Sequence, residues 1–375
     1  MKSVFHPLFR LRYSNFLILN VSAGISLLLS SSPICANQIR LKGPTAENLL
    51  QESGQRFHPV DSSLGIVSSQ ERLASEAGAL MLRKGGNAID AAVATAFVLS
   101  VTLPQAGNLG GGGFLVFWHA PERKSYALNF REIAPQLAHR DLFLNADGTV
   151  SKNKEFFSLL STGVPGSVAG LLKAQKRFGR LSRAEVMAPS IQLADAGFVV
   201  YPQLADSLKR AFSRLSQDPT ARSLFYRQVD SPEGGIQWTP YQSGEKLRQP
   251  DLAKSLKLIS LKGVSGFYEG TTANKIVDLM KDQGGLIDHL DLSDFTAPWL
   301  EPVKGVFRGY TVISMPPPSS GGVTLLQILK LIEPFDLESL GLNSAGSIHL
   351  LTESMNLAYR DRNHFLGDPD QIDIP

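Results

Sequence analysis

The chain has 375 residues, 43% of them hydrophobic and 19% charged, with no low-complexity tract and no fixed repeat period. That excludes a disordered chain, a coiled coil and a repeat array, and leaves enough polypeptide for a large core or two domains. Of the 37 basic residues, Lys2, Arg10 and Arg12 stand at the amino terminus, so residues 37–375 balance 34 basic against 34 acidic side chains and offer no basic stripe for nucleic acid.

Residues 1–36 have the pattern of an export signal. The positive start leads into a mostly apolar stretch from Phe16 to Leu29, and Pro33-Ile34-Cys35-Ala36 puts a small residue where a signal peptidase cuts. An uncleaved membrane anchor is the alternative, for which the apolar stretch is short. Bulky Ile34 argues against lipidation at Cys35. These features fit a Sec-type bacterial leader to the periplasm or beyond. Cys35 is the only cysteine, so the exported protein would hold no disulfide and would rely on packing. Residues 37–63 are polar and irregular, a flexible lead-in, and the domain is expected to occupy 64–375.

Gly65-Ile66-Val67 has strand character, and Ser68-x-x-Glu71 fits a capping box. Leu73, Ala77, Leu80 and Met81 then recur at helical spacing until Gly85-Gly86. Asn87 can cap a second helix through Ala91, Val93, Ala96 and Phe97, ending before Pro104; small and apolar nearly all round, it should be buried. After Gly107-Asn108-Leu109-Gly110-Gly111-Gly112-Gly113, strands are expected at Phe114–Trp118 and Ser125–Phe130, paired across a turn at Pro121–Lys124. Helices fit Val168–Arg177, Arg183–Ala196, Leu204–Leu215, Leu252–Leu261 and Thr272–Lys281. Ser182-x-x-Glu185 is another capping box, and Pro189 should kink or shift the helix it opens. Val303–Ile313 has strand character, Val323–Ile332 is helical, and Ile348–Arg362 fits a long helix. Strands in pairs between blocks of helices indicate a layered α+β protein, best an αββα sandwich, and not a doubly wound sheet.

Four features could carry chemistry. The glycine run lets backbone N–H groups approach an anion, but it matches neither G-x-x-x-x-G-K-[ST] nor G-x-G-x-x-G. Close packing of a turn between a buried helix and a strand explains it better. Arg131 follows the second strand in Phe130-Arg131-Glu132-Ile133-Ala134-Pro135. It could hold a substrate carboxylate in a bidentate fork, or be a surface arginine paired to Glu132 or Asp141. Met315-Pro316-Pro317-Pro318-Ser319-Ser320-Gly321-Gly322 stiffens as polyproline II before a helix start. It is an active-site wall or a plain structural loop, and neither serine sits in a G-x-S-x-G elbow. The seven histidines, His6, His58, His119, His139, His289, His349 and His364, show no metal-ligand spacing.

Six segments together resemble signatures of the γ-glutamyltransferase (glutathione hydrolase) family, in the order of its large subunit. They are Gly85 to Ala94, Pro104 to Phe114, Phe130-Arg131-Glu132-x-Ala134-Pro135, Thr162-Gly163-Val164-Pro165-Gly166, Met315 to Gly322 and Tyr359-x-Asp361-Arg362. The resemblance implies an N-terminal-nucleophile hydrolase fold, an αββα sandwich built by two chains cut from one precursor and incomplete here because the small-subunit half is missing. It implies a threonine at the start of the small subunit, whose hydroxyl attacks the γ-glutamyl carbonyl with its own α-amine as base. The acyl group then passes to water or to an amino acid or peptide. Glutathione is the usual donor, and no metal or organic cofactor is required.

Carried over residue by residue, the resemblance makes Arg131 the holder of the γ-glutamyl α-carboxylate. It gives the Pro316–Gly322 loop a place near the site without a chemical step. Leu103 stands where relatives often have histidine, and Asn129 where aspartate is common. The family's Thr-Thr-His-aromatic-Ser junction is absent: Thr271-Thr272 is followed by Ala273. The nucleophile, the oxyanion donors and the groups that grip the substrate α-amine therefore belong to a part not in these residues, and the chain alone is expected to be inactive. It is then half of a working enzyme, a truncated or decayed gene product, or an exported γ-glutamyl-binding module.

Overall fold

The computed structural model describes residues 61–375 except Leu64 and Glu233. The leader expected at 1–36 and nearly all of the lead-in at 37–63 lie outside the described residues. Gly65–Val67 forms no strand. With Ile66 62% exposed and no neighbouring ladder, three residues of strand character have nothing to pair with.

Helix α1 (Arg72–Arg83) is capped by Glu71 itself and not by Ser68. The Glu71 carboxylate accepts from the backbone N–H of Leu73 (2.9 Å) and of Ala74 (3.0 Å), and from the Thr102 hydroxyl (2.7 Å). The helix stops as expected: Gly85, at φ +85°, and Gly86 donate back to Leu82 and Met81. Asn87 caps α2 (Ala88–Thr102) in a capping box with Asp90, and eleven of its fifteen residues are buried.

Strands β1 (Phe114–His119) and β2 (Lys124–Asn129) pair antiparallel from Phe114↔Asn129 to His119↔Lys124. After the hairpin come the short α3 (Lys152–Phe156) and the 12-residue α4 (Ser167–Phe178), which packs on β2 and α2. Helix α5 (Arg183–Ala196) carries the capping box of Ser182 and Glu185 and has the ends its sequence indicates, so Pro189 is accommodated inside it. Next come β3 (Phe198–Val199), α6 (Pro202–Leu215), α7 (Pro219–Phe225), the hairpin β4 (Tyr226–Asp230) and β5 (Ile236–Pro240), and β6 (Lys246–Leu247). Helices α8 (Pro250–Lys262), α9 (Ser265–Tyr268), α10 (Gly270–Gln283) and α11 (His289–Asp294) lead to β7 (Trp299–Leu300).

Val303–Ile313 is not one strand but a hairpin, β8 (Val303–Phe307) and β9 (Tyr310–Ser314). Arg308 and Gly309 turn it at φ +47° and +83°, the left-handed pair that a two-residue hairpin turn requires. Helix α12 (Gly321–Ile332) packs on that hairpin and on the 21-residue α14 (Ala345–Phe365), with the single turn α13 (Leu337–Leu340) between them.

The largest sheet has the order β1-β2-β7, so β2 is central and buried from Ser125 to Leu128, while β1 is an edge. One core cluster runs from Leu73 to Ala297 through α1, α2, α4, α5, α8 and β2. Beside it, Phe117, Tyr126, Phe178 and Trp299 pack ring to ring, and the Arg177 guanidinium lies 4.7–5.0 Å from the centroids of the last three. This cluster fastens β7 and α4 to β2, and the end of β2 delivers the chain to the site.

Candidate functional site

Phe130, the residue just after β2, sits in a nest of glycines. Its backbone exchanges hydrogen bonds with Gly113 (3.0 and 3.2 Å). A Cβ on Gly112 or Gly166 would strike the Phe130 carbonyl oxygen, and one on Gly170 would strike its ring. Gly111 is spent in the same way, its carbonyl accepting from the N–H of Gly166 (2.8 Å) and Ser167 (2.9 Å). The glycine run therefore serves close packing of the turn, the simpler of its two sequence explanations.

Arg131 emerges from this nest at the surface. Its N–H donates to Asn129 Oδ1 (3.0 Å), which turns the chain off the strand axis. Ile133 bridges to Val164 of the Thr-Gly-Val-Pro-Gly segment, Pro135 is buried, and the Gln136 N–H donates to Asp291 Oδ1 (2.8 Å). Asp291 is itself buried and accepts from Asp288 through its other oxygen (3.1 Å) in the capping box of α11. The loop is thus held at both ends. Among the described residues the Arg131 guanidinium forms no ion pair, neither with Glu132 nor with Asp141.

The proline loop lines the same cavity as Arg131. Gly322 lies so close to the Met315 carbonyl that a side chain there would collide with it, and Met315 is buried. Ser319 Oγ accepts from the Gly321 N–H (3.3 Å), and Ser320 Oγ accepts from Arg362 Nε (3.2 Å). Arg362 comes from the last turn of α14, which is tied to α12 by a bond of 2.5 Å from Gln327 Nε2 to Asp361 Oδ2. Hydrogen bonding holds the Asp361 carboxyl below its usual range, chiefly through Gln327.

These segments enclose a cavity of about 620 Å³ lined by Arg131 and Glu132, Pro317 to Ser320, Arg362, and the tail from Leu366 to Asp370. Its size suits a small ligand. Neither histidine nor lysine lines it, so Ser319 and Ser320 have no such base at hand to make a nucleophile. Thr272, from the Thr-Thr pair, does not line it; at the start of α10, its hydroxyl donates to the Gly266 carbonyl (2.9 Å). Among the described residues no group of three His, Cys, Asp or Glu could hold a metal ion, and no helix is long and apolar enough to cross a membrane.

Sequence reasoning placed Arg131 at the strand end and left the proline loop undecided between wall and structural loop; it is a wall of the cavity. It assigned no role to Arg362, although Tyr-x-Asp-Arg was visible as a motif. It missed Asp291, for which Asp288-x-x-Asp291 was the available capping signal.

The γ-glutamyltranspeptidase family profile matches residues 74–375. The chain belongs to that family. It is 41% identical over 320 residues to the glutathione hydrolase proenzyme of Escherichia coli K12, covering 85% of this chain and 53% of that protein. The γ-glutamyltranspeptidase of Helicobacter pylori superposes with a TM-score of 0.80 at 40% identity, covering 85% of this chain and 88% of the solved one. The Pseudomonas nitroreducens enzyme complexed with L-DON gives 0.76 at 38% identity, covering 84% and 90%. The chain therefore has the mixed α/β, N-terminal-nucleophile hydrolase fold of these γ-glutamyltranspeptidases. It spans about half the length of the curated relatives it matches.

Proposed function

We infer that this chain supplies the donor-carboxylate half of a γ-glutamyltransferase site. Arg131 would grip the α-carboxylate of a γ-glutamyl compound such as glutathione. The observation that carries this is a guanidinium without an ion pair among the described residues, fixed by its own backbone just past the end of β2, on the wall of a ligand-sized cavity. Five N–H donors in a planar fork match a carboxylate in two bonds.

The acyl transfer itself needs a nucleophile that these 375 residues do not contain, since no Thr-Thr-His-aromatic-Ser segment occurs in them. We assign it to a small-subunit segment carrying an amino-terminal threonine, with transfer to water or to an amino acid or peptide. Support for a covering partner comes from β1, an edge strand whose outward residues Phe114, Val116 and Trp118 are exposed. On α14, Ile348, Leu351, Met355 and Tyr359 recur at helical spacing and are also exposed. Export through residues 1–36 to the periplasm or beyond, and a domain over 64–375, belong to the same proposal.

Calorimetry with glutathione tests the binding claim. Wild type should bind, and Arg131→Ala should weaken binding by about ten- to a hundredfold, as loss of a charge-assisted pair does. Equal affinity in the two would overturn the role of Arg131. Steady release of glutamate from glutathione by the purified 375-residue chain would overturn the claim that its nucleophile comes from elsewhere.

A further inference from the structure

The cavity that Arg131 lines holds a second guanidinium, that of Arg362. Two of its N–H groups are engaged, Nε with Ser320 Oγ (3.2 Å) and one on Nη1 with Asn363 Oδ1 (2.7 Å). An arginine carries five donors, so three remain, and both terminal nitrogens still have one to offer. The two engaged bonds fix the plane of the fork, which lowers the entropy lost when it closes on a carboxylate.

The surroundings make that guanidinium available. Glu132, Asp368 and Asp370 line the same cavity, yet among the described residues none is ion-paired with Arg362 or Arg131. Asp368 instead accepts the N–H of Asp370 (3.0 Å). The neighbouring Asp361 carboxylate is taken up by Gln327 and Arg360. With three carboxylates and two guanidiniums on its walls, the cavity does not attract anions in general. An anionic ligand gains there only by placing its charges on the two arginines.

We propose that Arg362 is a second carboxylate site, and that the cavity selects γ-glutamyl compounds carrying a second carboxylate at their far end. This rests on the reading of Arg131 above: Arg131 takes the α-carboxylate of the γ-glutamyl group, and Arg362 takes the carboxylate beyond the scissile amide. Glutathione has such a group in its glycine residue, and glutathione amidated at that glycine lacks it. Ser320 acts as the positioning residue that aims the Arg362 fork.

Equilibrium dialysis of the 375-residue chain against glutathione and against its glycine amide tests this, with Arg131→Ala and Arg362→Gln beside wild type. The expected result is that Arg131→Ala weakens both ligands, whereas Arg362→Gln weakens glutathione about tenfold or more and leaves the amide unchanged. If Arg362→Gln alters neither ligand, or both equally, the second site is wrong while Arg131 keeps its role. If wild type binds neither ligand, or Arg131→Ala binds both as well as wild type, the reading of Arg131 fails and takes this inference with it. Arg362→Lys, which keeps the charge without the fork, carries the same comparison should the glutamine variant lose its circular dichroism.

Discussion

Asp90 has no exposed surface, and its carboxylate accepts from three backbone N–H groups: Asn87 (2.9 Å), Arg180 (2.9 Å) and Leu181 (3.3 Å). It joins the start of α2 to the link between α4 and α5, segments 90 residues apart. Asp90→Ala leaves all three donors without their acceptor and should cost about 2–3 kcal/mol, read as a lower urea midpoint at unchanged slope. Glu71 is a second buried carboxylate. Burial pushes its carboxyl up, more than its bonds to Leu73, Thr102 and Ala74 pull it down. The nearby Tyr201 hydroxyl is pushed up chiefly by its own burial and then by the negative charge of Glu71. A carboxyl whose folded value lies above its unfolded one contributes most below the unfolded value, and that contribution is lost as pH rises through the folded value. Glu71→Gln should therefore flatten the fall of Tm between mildly acid and neutral pH; a variant with the wild-type slope would show that Glu71 is not the group responsible. At this scale the place of Arg131 just after a strand was legible, because Pro135 marks it locally, whereas spacing alone left its role open between a carboxylate fork and a surface arginine. Glu71 was assigned to the wrong position of its cap, because its partner Thr102 lies 31 residues away.

Helices were the most legible elements, since their apolar spacing, capping residues and glycine stops are all local signals. Helix α5 has the ends its sequence indicates even with Pro189 inside it. Strands were less legible. The hairpin of β4 and β5 exposes residues such as Gln237 and Ile236 without a clean alternation, and β3, β6 and β7 are two-residue pairings that exist only because a distant strand lies alongside. The nest around Phe130 is an element-scale device of the same non-local kind. Gly166→Ala drives a Cβ into the Phe130 carbonyl and close to the Phe295 ring, so the end of β2 must shift and carry Arg131 with it. We expect weakened glutathione binding together with a loss of stability of about 2 kcal/mol or more. Gly148→Ala is the control: it sits at φ +81° with nothing within 4 Å, and should cost only about 1 kcal/mol without touching binding. Equal binding losses in the two would separate the nest from the site.

For the whole molecule, the exposed outer face of β1 and the apolar stripe on α14 predict poor colloidal behaviour. Residues 37–375 purified alone should scatter light and aggregate on warming, and Val116→Lys with Trp118→Lys should reduce the scattering. A sharp, cooperative melt of a soluble wild-type monomer would contradict this. The αββα architecture was legible only as paired strands between helical blocks, because strand pairing is non-local and leaves little trace in local sequence. The same exposed face has an optical consequence. The chain has three tryptophans, each in a different setting. Trp299 is packed among Tyr126, Phe178 and Arg177, Trp238 stacks beside Arg222 on the β4–β5 hairpin, and Trp118 stands 55% exposed on β1. With Trp238 and Trp299 replaced by phenylalanine, the emission maximum belongs to Trp118 alone. A move of that maximum to the blue on mixing with a small-subunit polypeptide would time the burial of β1, and would turn assembly into a rate that can be followed by eye on a fluorimeter trace.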